Sequence, residues 1–141
     1  MKPRNRTQYA ALPFRRRTGR ALEVLLVTSR ETQSWIIPKG WPIRTLAPHA
    51  SAAHEALEEA GVSGSLDRKS IGEYSYEKRL GDGSEVTCHV KVFALEVKKQ
   101  MPRWKEQRQR RRKWFEARKA SIAIKQPELS AIISRLRSKV L

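Results

Sequence analysis

Three glutamates, Glu55, Glu58 and Glu59, stand close together near the middle of the chain. If the surrounding residues form a helix, these spacings place the three carboxylates on one face within a turn of each other. Like charges at such spacings repel, and the last turn of a helix disfavours negative charge further. No lysine or arginine lies between Pro48 and Gly61 to offset this repulsion. The pattern therefore indicates a cation site, and ligands that are all oxygens are typical of Mg²⁺ or Mn²⁺ rather than zinc.

The residues around these glutamates predict a short helix that packs tightly. The segment 47–60 is rich in alanine, Pro48 stands at a favourable first helical position, and Gly61 follows the last turn. A thin apolar stripe is formed by Ala53, Ala56 with Leu57, and Ala60, so we expect the helix to lie close against a neighbouring element. The alternative interpretation is a solvated acidic helix that holds no ligand.

Alternating apolar and polar residues predict strands along most of the remaining chain. The predicted strands are residues 8–14, 21–29, 35–37, 71–79, 85–97 and 111–115, and a turn-rich connector joins the fourth and fifth as a hairpin. A final amphipathic helix is predicted to begin near Gln126. This order predicts an α+β fold in a single domain over residues 1–141, with residues 1–6 as a flexible basic tail.

The glutamates are part of a longer spaced pattern, which begins at a glycine. The chain has the arrangement Gly40-x5-Leu46-x7-His54-Glu55-Ala56-x-Glu58-Glu59-x-Gly61-Val62. This arrangement resembles the Nudix box, Gly-x5-Glu-x7-Arg-Glu-U-x-Glu-Glu-x-Gly-U, in which U is a bulky aliphatic residue. Leu46 replaces a glutamate of that box, His54 replaces its arginine, and Ala56 is a small residue at its aliphatic position.

The resemblance implies a fold and a metal chemistry. Nudix proteins form an α/β/α sandwich around a mixed sheet, with the box on the Nudix helix and a further helix at the C-terminus. The resemblance implies that Glu55, Glu58 and Glu59 bind a divalent metal, Mg²⁺ with Mn²⁺ as the alternative. It also implies that the Gly40 carbonyl adds a ligand. Because the box arginine steadies the carboxylates in the family, His54 implies weaker support for them in this chain.

The same resemblance implies a hydrolase in which water attacks the phosphorus of a diphosphate linked to another group. Glu55, Glu58 and Glu59 are then the catalytic residues, with either Glu58 or Glu59 as the general base. Glu106, in a late basic segment, is a further candidate carboxylate. The order of elements over residues 8–140 resembles the diphosphoinositol polyphosphate phosphohydrolase branch and its bacterial relatives.

Basic residues near the box are candidates for holding the phosphates of such a substrate. Lys39 is the first of them, because it directly precedes the first glycine of the box. The others lie on the predicted hairpin and in the late basic segment: Lys78, His89, Lys91, Arg110, Arg111 and Lys113. The implied substrate is highly anionic and contains a pyrophosphate linkage, as in an inositol pyrophosphate, a dinucleoside polyphosphate or another nucleoside diphosphate derivative.

The net charge of +16 indicates a polyanionic partner. Positive charge is concentrated in residues 1–20 and 98–119, while the segment between them is slightly acidic. This distribution also allows a different function, a basic module that binds RNA or DNA on a weakly active or inactive Nudix scaffold. In that alternative, residues 108–113 supply charge, and Trp104 and Trp114 supply stacking surfaces.

Several other classes of protein are excluded by composition. Cys88 is the only cysteine, so there is no internal disulfide framework and no multi-cysteine metal site. No apolar run approaches the roughly 18–20 residues that a membrane-spanning helix needs. The basic N-terminal stretch is not followed by a hydrophobic segment, which argues against a secretory signal. We therefore expect a cytoplasmic protein without a membrane partner, and the sequence leaves its oligomeric state open.

Overall fold

The computed structural model describes residues 4–140, in which eight strands form one mixed sheet. The strands are β1 (Arg4–Arg15), β2 (Glu23–Thr28), β3 (Trp35–Ile36), β4 (Lys39–Gly40), β5 (Val62–Leu66), β6 (Gly72–Arg79), β7 (Glu85–Gln100) and β8 (Arg112–Glu116). The helices are α1 (Pro48–Glu55), which continues into a π-helical turn (Ala56–Ala60), α2 (Ala117–Ala123) and α3 (Pro127–Val140).

The two longest strands, β1 and β7, run parallel at the centre of the sheet. β2 pairs antiparallel with β1, and β3 and β8 each pair antiparallel with β2. β5 and β6 pair antiparallel with different ends of β7. The two-residue strand β4 pairs with β1 opposite Tyr9 and Ala10, which brings Gly40 beside the central strand.

Each face of the sheet carries its own hydrophobic core. On one face α2 and α3 pack over the sheet, with Ile132 and Ile133 fully buried against strand residues such as Val92. On the other face α1 and the π-helical turn pack over Phe93 and its neighbours. Val92 and Phe93 are adjacent, so the period of two along β7 divides them between the two layers. The chain therefore forms an α/β/α sandwich, as the sequence predicts.

The small side chains of the first helical segment explain how close it lies to the sheet. Ala52, Ala56 and Ala60 are all fully buried in the second core. An alanine occupies little volume and leaves no side-chain entropy to lose on burial, so a helix lined with alanine can approach strands closely. The predicted stripe is therefore confirmed at Ala56 and Ala60 only, because Ala52 takes the inward position while Ala53 is half-buried and Leu57 is 43% exposed.

Most predicted elements are present, with three additions and one change. The long hairpin corresponds to β6 and β7, and the C-terminal helix begins at Pro127. The sequence analysis missed β5 and α2, and it assigned residues 39–40 to a loop. Residues 4–6 of the predicted tail belong to β1 and pair with β7, while residues 1–3 lie outside the described part of the chain. Within residues 4–140, none of the helices is long and apolar enough to span a membrane.

Candidate active site

The helix that carries the glutamates ends in a π-helical turn rather than in regular α-helix. Its last turn is closed by Gly61, whose φ of 66° is a left-handed conformation that glycine adopts without strain. A π-helical turn is wider than an α-helical one, and such turns are frequent at functional sites. In this wider turn a residue four positions on lies almost above the first, whereas a residue three positions on is rotated away. Glu55 and Glu59 are therefore brought together, and Glu58 is separated from them.

Glu55 and Glu59 both line a cleft. Burial raises the pKa of Glu55 above its ordinary value, and the neighbouring Glu59 side chain opposes that shift. Gly40 of β4 lies directly against Glu55, because a Cβ added at Gly40 would overlap the Glu55 carboxylate. The absence of a side chain at Gly40 is thus what makes room for this carboxylate.

Glu59 is the most deeply buried of the three glutamates, with 5% of its surface exposed. Burial raises its pKa to about 8, Arg110 opposes the shift, and the charge of Glu55 adds to it. The Lys39 backbone N–H donates to Glu59 Oε1 at 3.3 Å, and Arg110 Nη2 lies 3.7 Å from the same oxygen. Two cationic residues therefore face Glu59, yet the loss of water around its carboxylate outweighs them.

Glu58 points away from the cleft and is not among the residues that line it. Lys105 Nζ donates to Glu58 Oε2 at 2.8 Å, and His54 Nε2 lies 3.3 Å from the same oxygen. The hydrogen bond from Lys105 lowers the pKa of Glu58. Of the two residues considered for the general base, Glu59 is the one that a substrate in the cleft could contact.

Arg110 joins the carboxylates to the sheet, and its side chain is only 8% exposed. Its Nε donates to Glu106 Oε1 at 2.7 Å, and its Nη1 donates to the Thr28 carbonyl oxygen at 3.1 Å. Glu106 also lines the cleft. A single guanidinium therefore contacts Glu106, Glu59 and the end of β2, which fixes the position of the late segment relative to the helix.

The cleft has a volume of about 780 Å³, which is within the range of small-molecule sites. Its charged lining is mixed, and the acidic lining residues are Glu31, Glu55, Glu59, Glu77 and Glu106. The basic lining residues are Arg30, Lys39, Lys78, Arg79, Arg110 and Lys125. The aromatic lining residues are Trp35, Trp41, Tyr74 and Tyr76. Burial lowers the pKa of Lys39, whose Nζ lies 5.0 Å from the centre of the Tyr76 ring.

The hairpin residues predicted to hold phosphate lie on opposite faces of the sheet. Lys78 pairs with the buried Val86 and shares its face, so it lines the cleft together with Lys39. His89 pairs with Ser75 and Lys91 pairs with Glu73, which places both on the other face. Residues directly opposite each other in an antiparallel pair point to the same side, and the next pair points to the other. The structure therefore does not bring His89 and Lys91 into the cleft.

The basic residues before and within β8 also separate. Arg110 lines the cleft, whereas Arg111 and Lys113 are exposed and lie outside the lining. Arg111 donates its backbone N–H to Thr28 Oγ1 at 2.9 Å, and its guanidinium lies 5.5 Å from the Trp35 ring centre. Arg30, Arg79 and Lys125 were not predicted: Arg30 and Lys125 lie in connections that carry no periodic pattern, and Arg79 is the last residue of β6.

Comparisons with known proteins indicate the same family as the resemblance to the Nudix box. No protein-family model matches the chain. Nudix hydrolase 16, mitochondrial, of Arabidopsis thaliana is 30% identical over 113 residues, which cover 78% of this chain and 62% of that protein. Nudix hydrolase 13, mitochondrial, of the same plant is 34% identical over 109 residues, which cover 70% of this chain and 52% of that protein. The matched region thus spans little more than half the length of these curated relatives.

The chain belongs to the Nudix superfamily. Solved structures agree on the fold. A C. elegans Ap4A hydrolase superposes with a TM-score of 0.66 at 16% identity, covering 96% of this chain and 98% of that one. The Nudix domain of Shewanella oneidensis NrtR, complexed with ADP ribose, superposes with a TM-score of 0.68 at 16% identity, covering 98% of this chain and 90% of that one. The predicted Nudix-type sandwich is therefore confirmed, while the narrower phosphohydrolase branch remains a prediction.

The departures from the Nudix box have different structural settings. Leu46 is 39% exposed and lies outside the cleft lining, so the leucine replaces the family glutamate at the surface. His54 lies one turn before Glu58 and contacts it, so the residue that replaces the family arginine still provides a contact for this glutamate. The change at residue 54 therefore concerns Glu58 by direct contact, and His54 also acts electrostatically to lower the pKa of Glu55.

The donor atoms of the Nudix site fit a hard divalent cation. Within residues 4–140 no group of three or more His, Cys, Asp or Glu side chains is arranged to hold a metal ion. Mg²⁺, however, keeps several water ligands and is commonly bound through one or two carboxylates together with substrate phosphates. The paired Glu55 and Glu59, close to the carbonyl-bearing Gly40, match that requirement. Burial raises the pKa of both carboxyls, so their negative charges are unfavourable in the cleft and a bound cation would stabilise them.

The contact between Gly40 and Glu55 leads to a testable expectation. Gly40→Ala is expected to lower the rate of hydrolysis by about 10–100-fold, the range seen when a group that orients a metal ligand is lost. The cause is displacement of the Glu55 carboxylate by the new Cβ. Initial rates should be compared with those of Gly81→Ala, because a Cβ at Gly81 meets nothing within 4 Å. Equal rates for both variants would show that the position of Glu55 does not matter.

Proposed function

We propose that this chain is a Mg²⁺-dependent hydrolase that cleaves a pyrophosphate linkage in a highly anionic substrate. The observation that carries the proposal is the placement of Glu55 and the buried Glu59 together in a cleft that also has six basic lining residues. Carboxylates suit a divalent cation, and basic side chains suit the phosphates that such a cation accompanies. The relatives named as Nudix hydrolases support the same reaction class.

The residues of the cleft have different roles in this reaction. Glu55, Glu59 and the Gly40 carbonyl would hold Mg²⁺, with Mn²⁺ as the alternative, and a bound metal of this kind neutralises phosphate charge and lowers the pKa of bound water. Lys39, Lys78 and the other basic lining residues bind and orient the phosphates. Arg110 holds the carboxylates in place through its contacts with Glu59 and Glu106.

The charge of the protein supports a substrate with many phosphates. The net charge of +16 attracts polyanions to the surface and raises their rate of encounter. Candidate substrates are an inositol pyrophosphate, a dinucleoside polyphosphate and another nucleoside diphosphate derivative. Among the structural neighbours, one is named an Ap4A hydrolase and another is complexed with ADP ribose, which supports the nucleotide candidates.

A nucleic-acid-binding module is the less well supported alternative. It requires the two tryptophans of the basic segment to offer open stacking surfaces. The Arg112 guanidinium covers one face of Trp104 at 3.8 Å from the ring centre, and the Arg15 guanidinium lies 4.1 Å from that of Trp114. The indole N–H of Trp104 is engaged by the Glu59 carbonyl oxygen. These contacts give the segment a role within the fold, and they favour the hydrolase.

The proposal is tested by identifying products over a panel of substrates. Purified protein is incubated with diadenosine tetraphosphate, ADP-ribose or a diphosphoinositol polyphosphate, each with Mg²⁺, with Mn²⁺ or with EDTA, and products are followed by ³¹P NMR. We expect cleavage of at least one pyrophosphate linkage that depends on the metal and stops with EDTA. Reaction in ¹⁸O-labelled water then identifies the attacked phosphorus.

A matched pair of variants separates this activity from contamination. Glu59→Gln changes a cleft carboxylate, whereas Glu73→Gln makes the same change at an exposed residue of β6 outside the cleft lining. We expect Glu73→Gln to keep wild-type turnover and Glu59→Gln to lose it. The hydrolase proposal is wrong if the wild type cleaves none of the substrates with either metal, or if Glu59→Gln remains as active as wild type.

A further inference from the structure

Gln8 is a buried polar residue of β1 that lines the cleft, with 3% of its surface exposed. A glutamine amide has an oxygen that accepts hydrogen bonds and an NH₂ group that donates them. The Tyr76 hydroxyl donates to Gln8 Oε1 at 2.7 Å, and Gln8 Nε2 has no hydrogen-bond partner within residues 4–140. Because every buried side-chain nitrogen and oxygen in that range does have a partner, Nε2 is open to the cleft. The sheet therefore presents an uncharged donor to a substrate.

Trp41 offers an aromatic surface to the same cleft. It is the most exposed of the four aromatic lining residues, at 37%. The Arg6 guanidinium lies over its ring, 5.6 Å from the centre, and within residues 4–140 no other cation or ring stacks on it. Trp35, by contrast, packs against Phe115 with the ring centres 5.1 Å apart. One face of the Trp41 indole is therefore available for stacking.

Gln8 and Trp41 lie beside each other at the end of the pairing between β1 and β4. Tyr9 is opposite Gly40 in this antiparallel pair, so Gln8 and Trp41 are the next residues on the two strands. Arg6 shares a face of β1 with Gln8, because alternate residues of a strand point to the same side. The contact of Arg6 with Trp41 places the indole on that face as well. Trp41 also directly follows Gly40, so both residues lie next to the place proposed for the metal and the diphosphate.

We propose that Gln8 and Trp41 form a nucleobase subsite, in which Gln8 Nε2 donates to a ring nitrogen or carbonyl oxygen of the base and the free face of Trp41 stacks on it. The inference rests on the proposed function, because it selects the nucleotides among the candidate substrates of that cleft. A base carries uncharged acceptors on a planar ring, which an amide and an indole complement. The groups around an inositol pyrophosphate are charged phosphates, for which a cationic side chain is the stronger partner.

The test compares two ligands with and without a base, AMP and ribose 5-phosphate. Their dissociation constants are measured by isothermal titration calorimetry in EDTA, so that the result requires neither a metal nor turnover. We expect the wild type to bind AMP about 10–100-fold more tightly, which is the range that stacking of one base on an aromatic side chain supplies. Equal affinities for the two ligands would overturn the inference.

Variants of the two residues identify the source of this preference. Trp41→Ala should weaken AMP binding by about 10–100-fold and leave ribose 5-phosphate unchanged, while Trp41→Phe should stay within about 3-fold of wild type. Gln8→Met has a similar volume without an N–H and should weaken AMP by about 3–10-fold. Leu46→Ala is the matched control, because it shortens an exposed apolar residue near Trp41 that lies outside the cleft lining. Thermal unfolding checks that each variant is folded.

These outcomes separate the subsite from the hydrolase. The subsite is overturned if Trp41→Ala keeps the preference for AMP, or if Gln8→Met binds AMP as tightly as Leu46→Ala does. A wild type that prefers AMP through Trp41 but cleaves no pyrophosphate linkage overturns the proposed function and supports the subsite. In an active enzyme, Trp41→Ala should lower kcat/KM for diadenosine tetraphosphate or ADP-ribose and leave that for a diphosphoinositol polyphosphate unchanged.

Discussion

Glu59→Gln is expected to lower hydrolysis more than about 100-fold and, in the same protein, to stabilise the metal-free fold at pH 8. Loss of a group that only supports a metal ligand costs 10–100-fold, so loss of a direct ligand costs more. The stability gain arises because Glu59 is 5% exposed and shares its surroundings with Glu55. Glutamine has a similar shape without the charge, so we expect a gain of about 1–3 kcal/mol in the free energy of unfolding.

The pH dependence of that gain has a defined sign. Burial raises the pKa of Glu59 from 4.5 in an unfolded chain to about 8 in the fold. A group whose pKa is raised by folding contributes stability that is fully present below pH 4.5 and is lost as the pH rises towards 8. The advantage of Glu59→Gln should therefore be small at pH 5 and large at pH 8. Thermal unfolding in EDTA at the two values measures it.

Metal addition and a control variant complete this experiment. Mg²⁺ at 100 times its dissociation constant should stabilise the wild type by about 2.7 kcal/mol and leave Glu59→Gln almost unchanged. Glu73→Gln, at an exposed position, should behave as wild type in every condition. An equal effect of Glu59→Gln at pH 5 and pH 8 would contradict the assignment of Glu59 as the buried carboxyl that a cation replaces.

Arg110→Ala is expected to cause the largest loss of stability among single substitutions in the site, about 3–5 kcal/mol, because it leaves buried carboxylates without their partner. Arg110 contacts Glu106, Glu59 and the Thr28 carbonyl oxygen, and its side chain is 8% exposed. The free energy of unfolding is measured by urea denaturation at pH 7. Because the variant also frees Glu106 and the late segment, we expect its remaining folded fraction to be inactive.

Two further variants test whether the loss of stability in Arg110→Ala comes from the contacts of its guanidinium. Arg110→Lys keeps the charge but cannot donate to Glu106 and to the Thr28 carbonyl oxygen with the fixed geometry of a guanidinium, so we expect a smaller loss, between those of wild type and alanine. Arg68→Ala removes an arginine from an exposed loop and should change stability by less than about 0.5 kcal/mol. If Arg110→Ala and Arg68→Ala destabilise equally, Arg110 is a surface residue in solution and the cleft is differently arranged.

The fold was predictable where a local pattern repeats. The alternation in residues 85–97 and the stripe beginning at Leu129 identify β7 and α3, and Pro48 and Gly61 mark the ends of the glutamate-bearing helix. β5 was missed because Val62–Leu66 contains glycine and serine and is strand only through its pairing with β7. α2 was missed because it is seven residues long and depends on packing against α3 and β8.

The candidate site shows the same division between local and long-range information. The spacing of Glu55, Glu58 and Glu59, and the glycine that begins the box, are properties of the sequence, and they were sufficient to indicate a cation site. Which of the glutamates faces the cleft depends on the π-helical turn, whose carbonyl oxygens accept hydrogen bonds from Trp104 and Glu106, more than 40 residues away in sequence.

What the amino-acid sequence determined by itself is the acidic helix and the α+β class, because these follow from residues that are neighbours along the chain, while the family and its sandwich were implied by the resemblance of residues 40–62 to the Nudix box. The tertiary structure alone decided which basic residues share the cleft. Lys78 enters it and His89 does not, because strand register assigns alternate residues to opposite faces. Arg110 enters it and Arg111 does not, because Thr28 holds the backbone of residue 111 and the guanidinium of residue 110. Such contacts join distant segments, so no spacing within either segment records them.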